Sequence, residues 1–406
     1  MKKVLSLLLA VCLAASLFGC KTVTPDVVTT TTGNPTKPDD KPVNYPSWTV
    51  SDADALASRG EIVATAGDRK LTNGELNVYY WMGVYSFLNN YGSYASLYGL
   101  DYTQPLDTQG PASEEAKSWQ QFFIEDALAA WHVYQAVALA GQKLEVEMPN
   151  YLKEDLDGLW DTMEESAEKG KFDSVDAMIQ KDAGAGTTGE DFYNYTRHYY
   201  EYLACMEYLN NTTEITDADI EKYFTDHEEE LKESKITKES GNVFAVRHIL
   251  ITPEGGKTSD SGTTYTDAEW EACRDKAQKL MDEWAGGTAT EETFANYAKE
   301  YSTDPGSGSK GGLYEGLDKD TNFVEPFKNW YLEEGRKVGD YGLVKTEYGY
   351  HIMYMSGIEA KWISHCREAI LKETVDTFIE DAKKEYPMES DMDKIALGEV
   401  KLASSK

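Results

Sequence analysis

The chain has 406 residues, of which 41% are hydrophobic and 12% aromatic, enough to fill two or three packed cores and incompatible with a wholly disordered or fibrous protein. Its 39 Lys and Arg stand against 71 Asp and Glu, a formal charge of -32. The averaged surface therefore repels phosphate backbones and anionic headgroups, and no nucleic-acid partner is expected.

In chain order, Lys2 and Lys3 form a positive start, Val4 to Leu17 is an apolar run of secretory length, and Leu17-Phe18-Gly19-Cys20 closes it. The run is too short to span a bilayer. Its end resembles a bacterial lipoprotein box. Residues 1–19 are thus expected to be a signal peptide and Cys20 the lipidated first residue of the mature chain, held at the extracytoplasmic face of the cell membrane. Each buried acyl methylene contributes about 0.8 kcal/mol to such an anchor. Residues 20–47 are rich in Thr and Pro and lack an apolar period, the composition of a tether. With Cys12 lost and Cys20 acylated, Cys205, Cys273 and Cys366 remain; an odd count fits no disulfide framework.

Residues 48–240 read as a mostly helical, chaperone-like lobe. Glu61 to Ala66 is a short strand with Gly67-Asp68 as its turn, and Thr72 with Glu75 caps a helix through about Asn90. Further helices are expected over 113–140, 149–169, 187–210 and 216–233. Tyr79, Tyr80, Trp81, Tyr85, Phe87, Tyr91, Tyr94, Tyr98 and Tyr102 make a dense aromatic stretch. It is either a cradle for unfolded chains or helix core with a tyrosine-rich loop.

Residues 241–358 change period. Val243 to Thr252 reads as a buried strand, helices follow at 266–286, 292–300 and 324–334, and strands at 343–346 and 350–356 close a compact α+β domain. Residues 359–406 read as a helix to about Lys384 and a strand at 394–402 that pack back on the helical lobe, so that the α+β domain is an insertion.

Strand alternation puts His248 on the face of Phe244, Val246 and Leu250, and His351 at two-residue spacing from Met353 and Met355. Two histidines at apolar positions on two strands of one small sheet can meet, each favoured as neutral. No His-x-x-x-His and no Cys/His cluster is present, so no metal and no cofactor is expected. His132, His198, His227 and His365 sit in helical stretches as bystanders.

Several strings in order carry a resemblance: Val246-Arg247-His248-Ile249-Leu250-Ile251, Phe294-Ala295, Tyr301-Ser302-x-Asp304-Pro305-Gly306-Ser307, Lys310-Gly311-Gly312, Val324-Glu325-Pro326-Phe327, and Val344 through Ile352. This segment resembles the parvulin family of peptidyl-prolyl cis/trans isomerases. Together with the lipoprotein signal, tether and helical lobe it resembles the PrsA-like foldase lipoproteins of Gram-positive cell envelopes. The resemblance implies a small antiparallel sheet surrounded by helices and a catalytic set of His248, Asp304, Thr346 and His351. It also implies a proline pocket floored by Phe327 and walled by Phe323, with Leu313 and Tyr348 as further substrate-facing residues. Where the family carries Gly-Gly-Asp-Leu-Gly, this chain has Gly311-Gly312-Leu313-Tyr314-Glu315-Gly316, without the aspartate and shifted by one residue.

The chemistry implied needs no covalent step. Peptide rotation faces about 18–20 kcal/mol because resonance stiffens the C–N bond, and an apolar pocket that grips the proline ring and strips water from the amide favours the twisted state. The expected partners are newly secreted, unfolded polypeptides containing proline, and the membrane through the lipid anchor. The altered Gly-Gly-Leu-Tyr segment supports a second expectation, a non-catalytic holdase whose parvulin fold only binds.

Overall fold

A computed structural model describes residues 45–111, 117–259 and 262–400. The expected signal peptide, Cys20 as expected lipidation site, and the expected tether as far as residue 44 lie outside the described residues. The described residues divide into two compact units, one formed by those up to Thr213 with those from Glu373, the other by those within Glu214–Lys372.

In the first unit, Thr72 ends a strand and accepts a hydrogen bond from the Glu75 amide, which starts the helix Asn73–Tyr91. Ser118 does the same for Trp119–Lys143, and Thr188 with Asp191 forms a reciprocal capping box for Gly189–Thr212. These helices bury Trp119, Trp131, Phe123, Phe192, Tyr80 and Tyr199 almost completely. Asn150–Gly170 packs alongside. Of the aromatic stretch, Tyr79, Tyr80, Trp81 and Phe87 are core, Tyr85, Tyr91, Tyr98 and Tyr102 pack partly buried against it, and Tyr94 is 60% exposed. Two helices have no counterpart in the expectations, Asp52–Ser58 and Val175–Ala183.

Strand Ile62–Ala66 pairs antiparallel with both Arg69–Thr72 and Met388–Ser390, and Thr49–Val50 pairs parallel with Leu397–Gly398. Residues near the two ends of the described chain therefore close one unit. Two buried asparagines one helical turn apart hold the later segment. The Asn73 amide donates to Lys394 O at 2.8 Å and its oxygen accepts from the Ala396 N–H at 3.0 Å. Asn77 repeats the pattern on Ala396 O and the Gly398 N–H, both at 3.0 Å. Side-chain amides thus stand in for a neighbouring strand.

The second unit is built on a four-stranded antiparallel sheet in the order Leu313–Leu317, Asn242–Ile251, Tyr350–Ala360, Tyr341–Lys345. One face carries Ile249, Ile251 and Ile352 against Cys273, Ala277, Leu280 and Trp284 of helix Asp267–Ala285 and Phe294 and Ala298 of helix Glu291–Tyr301. The other carries Val246, Met353 and Met355 against Leu317 and against Phe327 and Tyr331 of helix Glu325–Leu332. The unit begins upstream of residue 241, because Ile220, Phe224, Leu231 and Ile236 form a cluster with Trp362 and Cys366. The helix expected over 216–233 breaks at His227 into Asp217–Asp226 and Glu228–Glu233. Strand Leu313–Leu317 and the hairpin Lys257–Ser259 with Gly262–Thr264 have no counterpart among the elements expected from sequence. Cys205, Cys273 and Cys366 are buried free thiols.

Candidate active site

The two central strands bring the histidines together. His248 lies opposite Met353 and His351 opposite Leu250, so both project from one face as diagonal neighbours. Their Nδ1 atoms are 3.0 Å apart, their rings stack with centroids at 5.1 Å, and both are buried. The turn between Tyr341–Lys345 and Tyr350–Ala360 places Thr346 Oγ1 2.8 Å from His351 Nε2. Gly349 makes this turn possible. Its φ is +150°, and a Cβ there would lie 2.2 Å from Ile251 O.

At the other end, His248 Nε2 is 3.2 Å from Asp304 Oδ2 and 3.1 Å from Ser307 Oγ. The loop after Tyr301 is sewn to the His248 strand, which fixes Asp304. The Leu250 N–H donates to Ser302 Oγ at 3.1 Å, and Leu250 O accepts from the Thr303 N–H at 2.9 Å and the Thr303 hydroxyl at 3.0 Å. Gly312 closes the loop, since its carbonyl accepts from the His248 N–H at 2.8 Å. At φ +73° a Cβ on Gly312 would sit 2.2 Å from His248 O.

These groups form one hydrogen-bonded chain, Thr346, His351, His248, Asp304. The bond from His248 holds the Asp304 carboxyl well below its ordinary range, with Ser307 and Tyr314 adding to it against partial burial. Burial, then the neighbouring His248, pushes His351 down to about 3. One assignment of hydrogens keeps both imidazoles neutral and meets every partner: the Thr346 hydroxyl donates to His351 Nε2, His351 Nδ1–H to His248 Nδ1, and His248 Nε2–H to the Asp304 carboxylate. The chain then runs one way and ends on the single charge.

Phe327 meets both histidines edge to face, at 5.2 Å from His248 and 5.5 Å from His351. It is only 1% exposed, because Phe323 stacks on it at 4.8 Å with 13° between the rings. Phe323 and not Phe327 therefore offers the accessible aromatic surface. Leu313 pairs with Arg247 and stands on the opposite sheet face, whereas Tyr314 pairs with Val246 on the histidine face. Leu313 is thus not brought together with the histidines, and Tyr314 takes that place. Tyr348 is 57% exposed and reaches the chain through its backbone N–H, which donates to Thr346 Oγ1 at 3.1 Å. Sequence reasoning missed Ser307 and Tyr314 as partners of Asp304. The signal for Tyr314 was the even spacing of a strand across Gly312, obscured by its glycines.

Residues 230–357 match the PPIC-type PPIASE domain family. The chain is 28% identical over 202 residues to the foldase protein PrsA of Caldanaerobacter subterraneus subsp. tengcongensis, covering 48% of this chain and 51% of that one. It is also 28% identical over 171 residues to the foldase protein PrsA of Clostridium botulinum, covering 41% of each. It thus spans about half the length, or less, of these two relatives. Among solved structures, PrsA from Bacillus subtilis aligns with 80% of this chain and 93% of its own at 18% identity, with a TM-score of 0.34. Residues 230–357 are accordingly similar to the PPIC-type PPIase domain family, and the chain is similar to foldase proteins named PrsA.

Proposed function

We propose that the second unit isomerises Xaa-Pro bonds in unfolded, newly secreted polypeptides, and that the chain is a foldase held at the extracytoplasmic membrane face by a lipid on Cys20. The observation that carries the reading is the hydrogen-bonded chain from the buried Thr346, His351 and His248 to the partly buried Asp304, ending on a charged carboxylate beside the aromatic set Tyr314, Phe323 and Phe327.

In this reading the proline ring lies against Phe323, with Phe327 as the support beneath and Tyr348 on the rim. The aromatic surface removes water from the amide, which weakens the solvation of its delocalised, planar form. Asp304 sets a fixed negative charge beside the rotating bond, disfavouring build-up of charge on the substrate carbonyl oxygen and hence the double-bond character that raises the barrier. His248, His351 and Thr346 fix that charge in place and spend no proton. Uncatalysed prolyl isomerisation takes about 10–100 s at 25 °C.

A protease-coupled isomerisation assay on the full mature chain tests this. The wild type should outpace the uncatalysed rate and Asp304→Ala should lose most of the acceleration while keeping its fold. Wild-type turnover at the uncatalysed rate would leave binding without catalysis, a second reading that the enclosure of Phe327 beneath Phe323 favours. Anchoring is checked separately: Cys20→Ser should release the protein from membranes or leave an unprocessed precursor, and full retention of a processed, unlipidated chain counts against it.

A further inference from the structure

The Tyr314 hydroxyl has no assigned role in the isomerase reading above, yet its geometry is specific. It stands in register with Val246 on the histidine face, just before a register shift in which Gly316 adopts φ +67°. Its ring lies over His248 at 5.5 Å with 30° between planes and meets Phe323 at 5.0 Å with 72° between planes. Its hydroxyl donates to Asp304 Oδ2 at 3.1 Å.

The bonds to Asp304 are uneven. Oδ2 receives the Tyr314 hydroxyl, the Ser307 hydroxyl at 2.5 Å, the Ser307 N–H at 2.9 Å and His248 Nε2 at 3.2 Å. Oδ1 receives none of them, and the side chain keeps 15% exposure. Donors converging on one oxygen pin the carboxylate's rotation and leave the other oxygen open to a ligand donor. The loop is shaped for this contact as well. A Cβ on Gly306 would lie 2.6 Å from the Tyr314 hydroxyl, so glycine there makes room for the phenol.

We propose that Tyr314 is a positioning residue of the isomerase site: its hydroxyl, admitted by Gly306, saturates Asp304 Oδ2 and so presents Oδ1 as the acceptor for a backbone N–H of the peptide flanking the Xaa-Pro bond. Proline supplies no such donor, so the acceptor reads the flanking chain. The inference rests on the isomerase reading. The titratable groups facing Asp304 are His248 from the central strand and Tyr314 from the edge strand, with His351 behind His248.

Tyr314→Phe keeps the ring and removes only the hydroxyl, and Gly306→Ala pushes the hydroxyl away by a different route. Both are made in the full mature chain. Turnover of a proline peptide is followed near neutral pH, and the Asp304 carboxyl is titrated by carbon-detected NMR from neutral pH down to the acid limit of the folded state, its signal assigned by its loss in Asp304→Asn. Both variants should unfold at the wild-type temperature within about 2 °C. Each should lose about three- to tenfold in kcat/KM, as expected for one bond to a charged group, and raise the Asp304 midpoint by about half to one pH unit. An unchanged midpoint overturns the proposal, whether turnover falls or holds, because loss of activity alone would then belong to the ring or the fold. If the wild type itself shows no turnover, the isomerase reading and the catalytic part of this proposal fall together, while a raised midpoint would still place the phenol on Asp304.

Discussion

At the scale of single residues, Phe323 and Phe327 are stacked yet should behave differently when truncated. Phe327 is enclosed by both histidines, Tyr331 and Phe323, so Phe327→Ala should cost about 3–5 kcal/mol of unfolding free energy. Phe323 is only partly buried, and Phe323→Ala should cost about 1 kcal/mol or less while raising KM for a proline peptide. Denaturant unfolding beside peptide kinetics checks the pair, and equal destabilisation would be the wrong result. His351 sets a pH dependence. It is neutral in the fold down to about 3, whereas the unfolded side chain takes up a proton near 6.5. The stability it contributes is therefore complete above about 6.5 and is lost as pH falls toward 3, at about 1.4 kcal/mol per pH unit. The loss between pH 7 and pH 5 should be about 2 kcal/mol smaller in His351→Asn than in wild type. The meeting of His248 and His351 was legible because strand alternation has a period of two. Tyr314 was not legible, since Gly311, Gly312 and Gly316 around it interrupt any strand pattern and only pairing with Arg247 and Val246 makes that segment a strand.

At the scale of elements, the local signals held. Thr72, Thr216 and Thr266 open helices as the capping patterns imply, because each cap needs only groups three residues away. Strands Met388–Ser390 and Leu397–Gly398 were poorly legible, since such short segments are strands only by virtue of partners more than 300 residues earlier. Asn73 and Asn77 are the strongest example. Nothing in their own helix explains two asparagines fully buried on one face, and their purpose appears only with residues 394–398 in place. Asn77→Ala should strand Ala396 O and the Gly398 N–H without partners. At about 1–3 kcal/mol for each buried unsatisfied group, the first unit should lose about 2 kcal/mol or more. Hydrogen exchange should show Gly398 losing its protection first, and protection unchanged there would mean that the clamp contributes nothing.

At the scale of the whole molecule, the second unit should fold by itself as residues 214–372. It contains both sheet faces and the cluster of Ile220, Phe224, Leu231, Ile236, Trp362 and Cys366. A single cooperative unfolding transition is expected for that fragment. The shorter 241–358 should be less stable only where the fragments differ, because Phe244, Phe327 and the histidines lie inside both. A disordered 214–372 beside a folded full chain would show that the unit needs the rest of the protein. The parallel pairing of Thr49–Val50 with Leu397–Gly398 has a consequence for biosynthesis. A chain that emerges from its amino end presents the whole of 214–372 before the residues that complete the first unit exist. Domains form as units during synthesis at about 5–20 residues per second, so the later unit in space is the earlier one in time. The helical unit must wait, with its Asn73 and Asn77 amides open to water, for a strand made after the whole of the second unit.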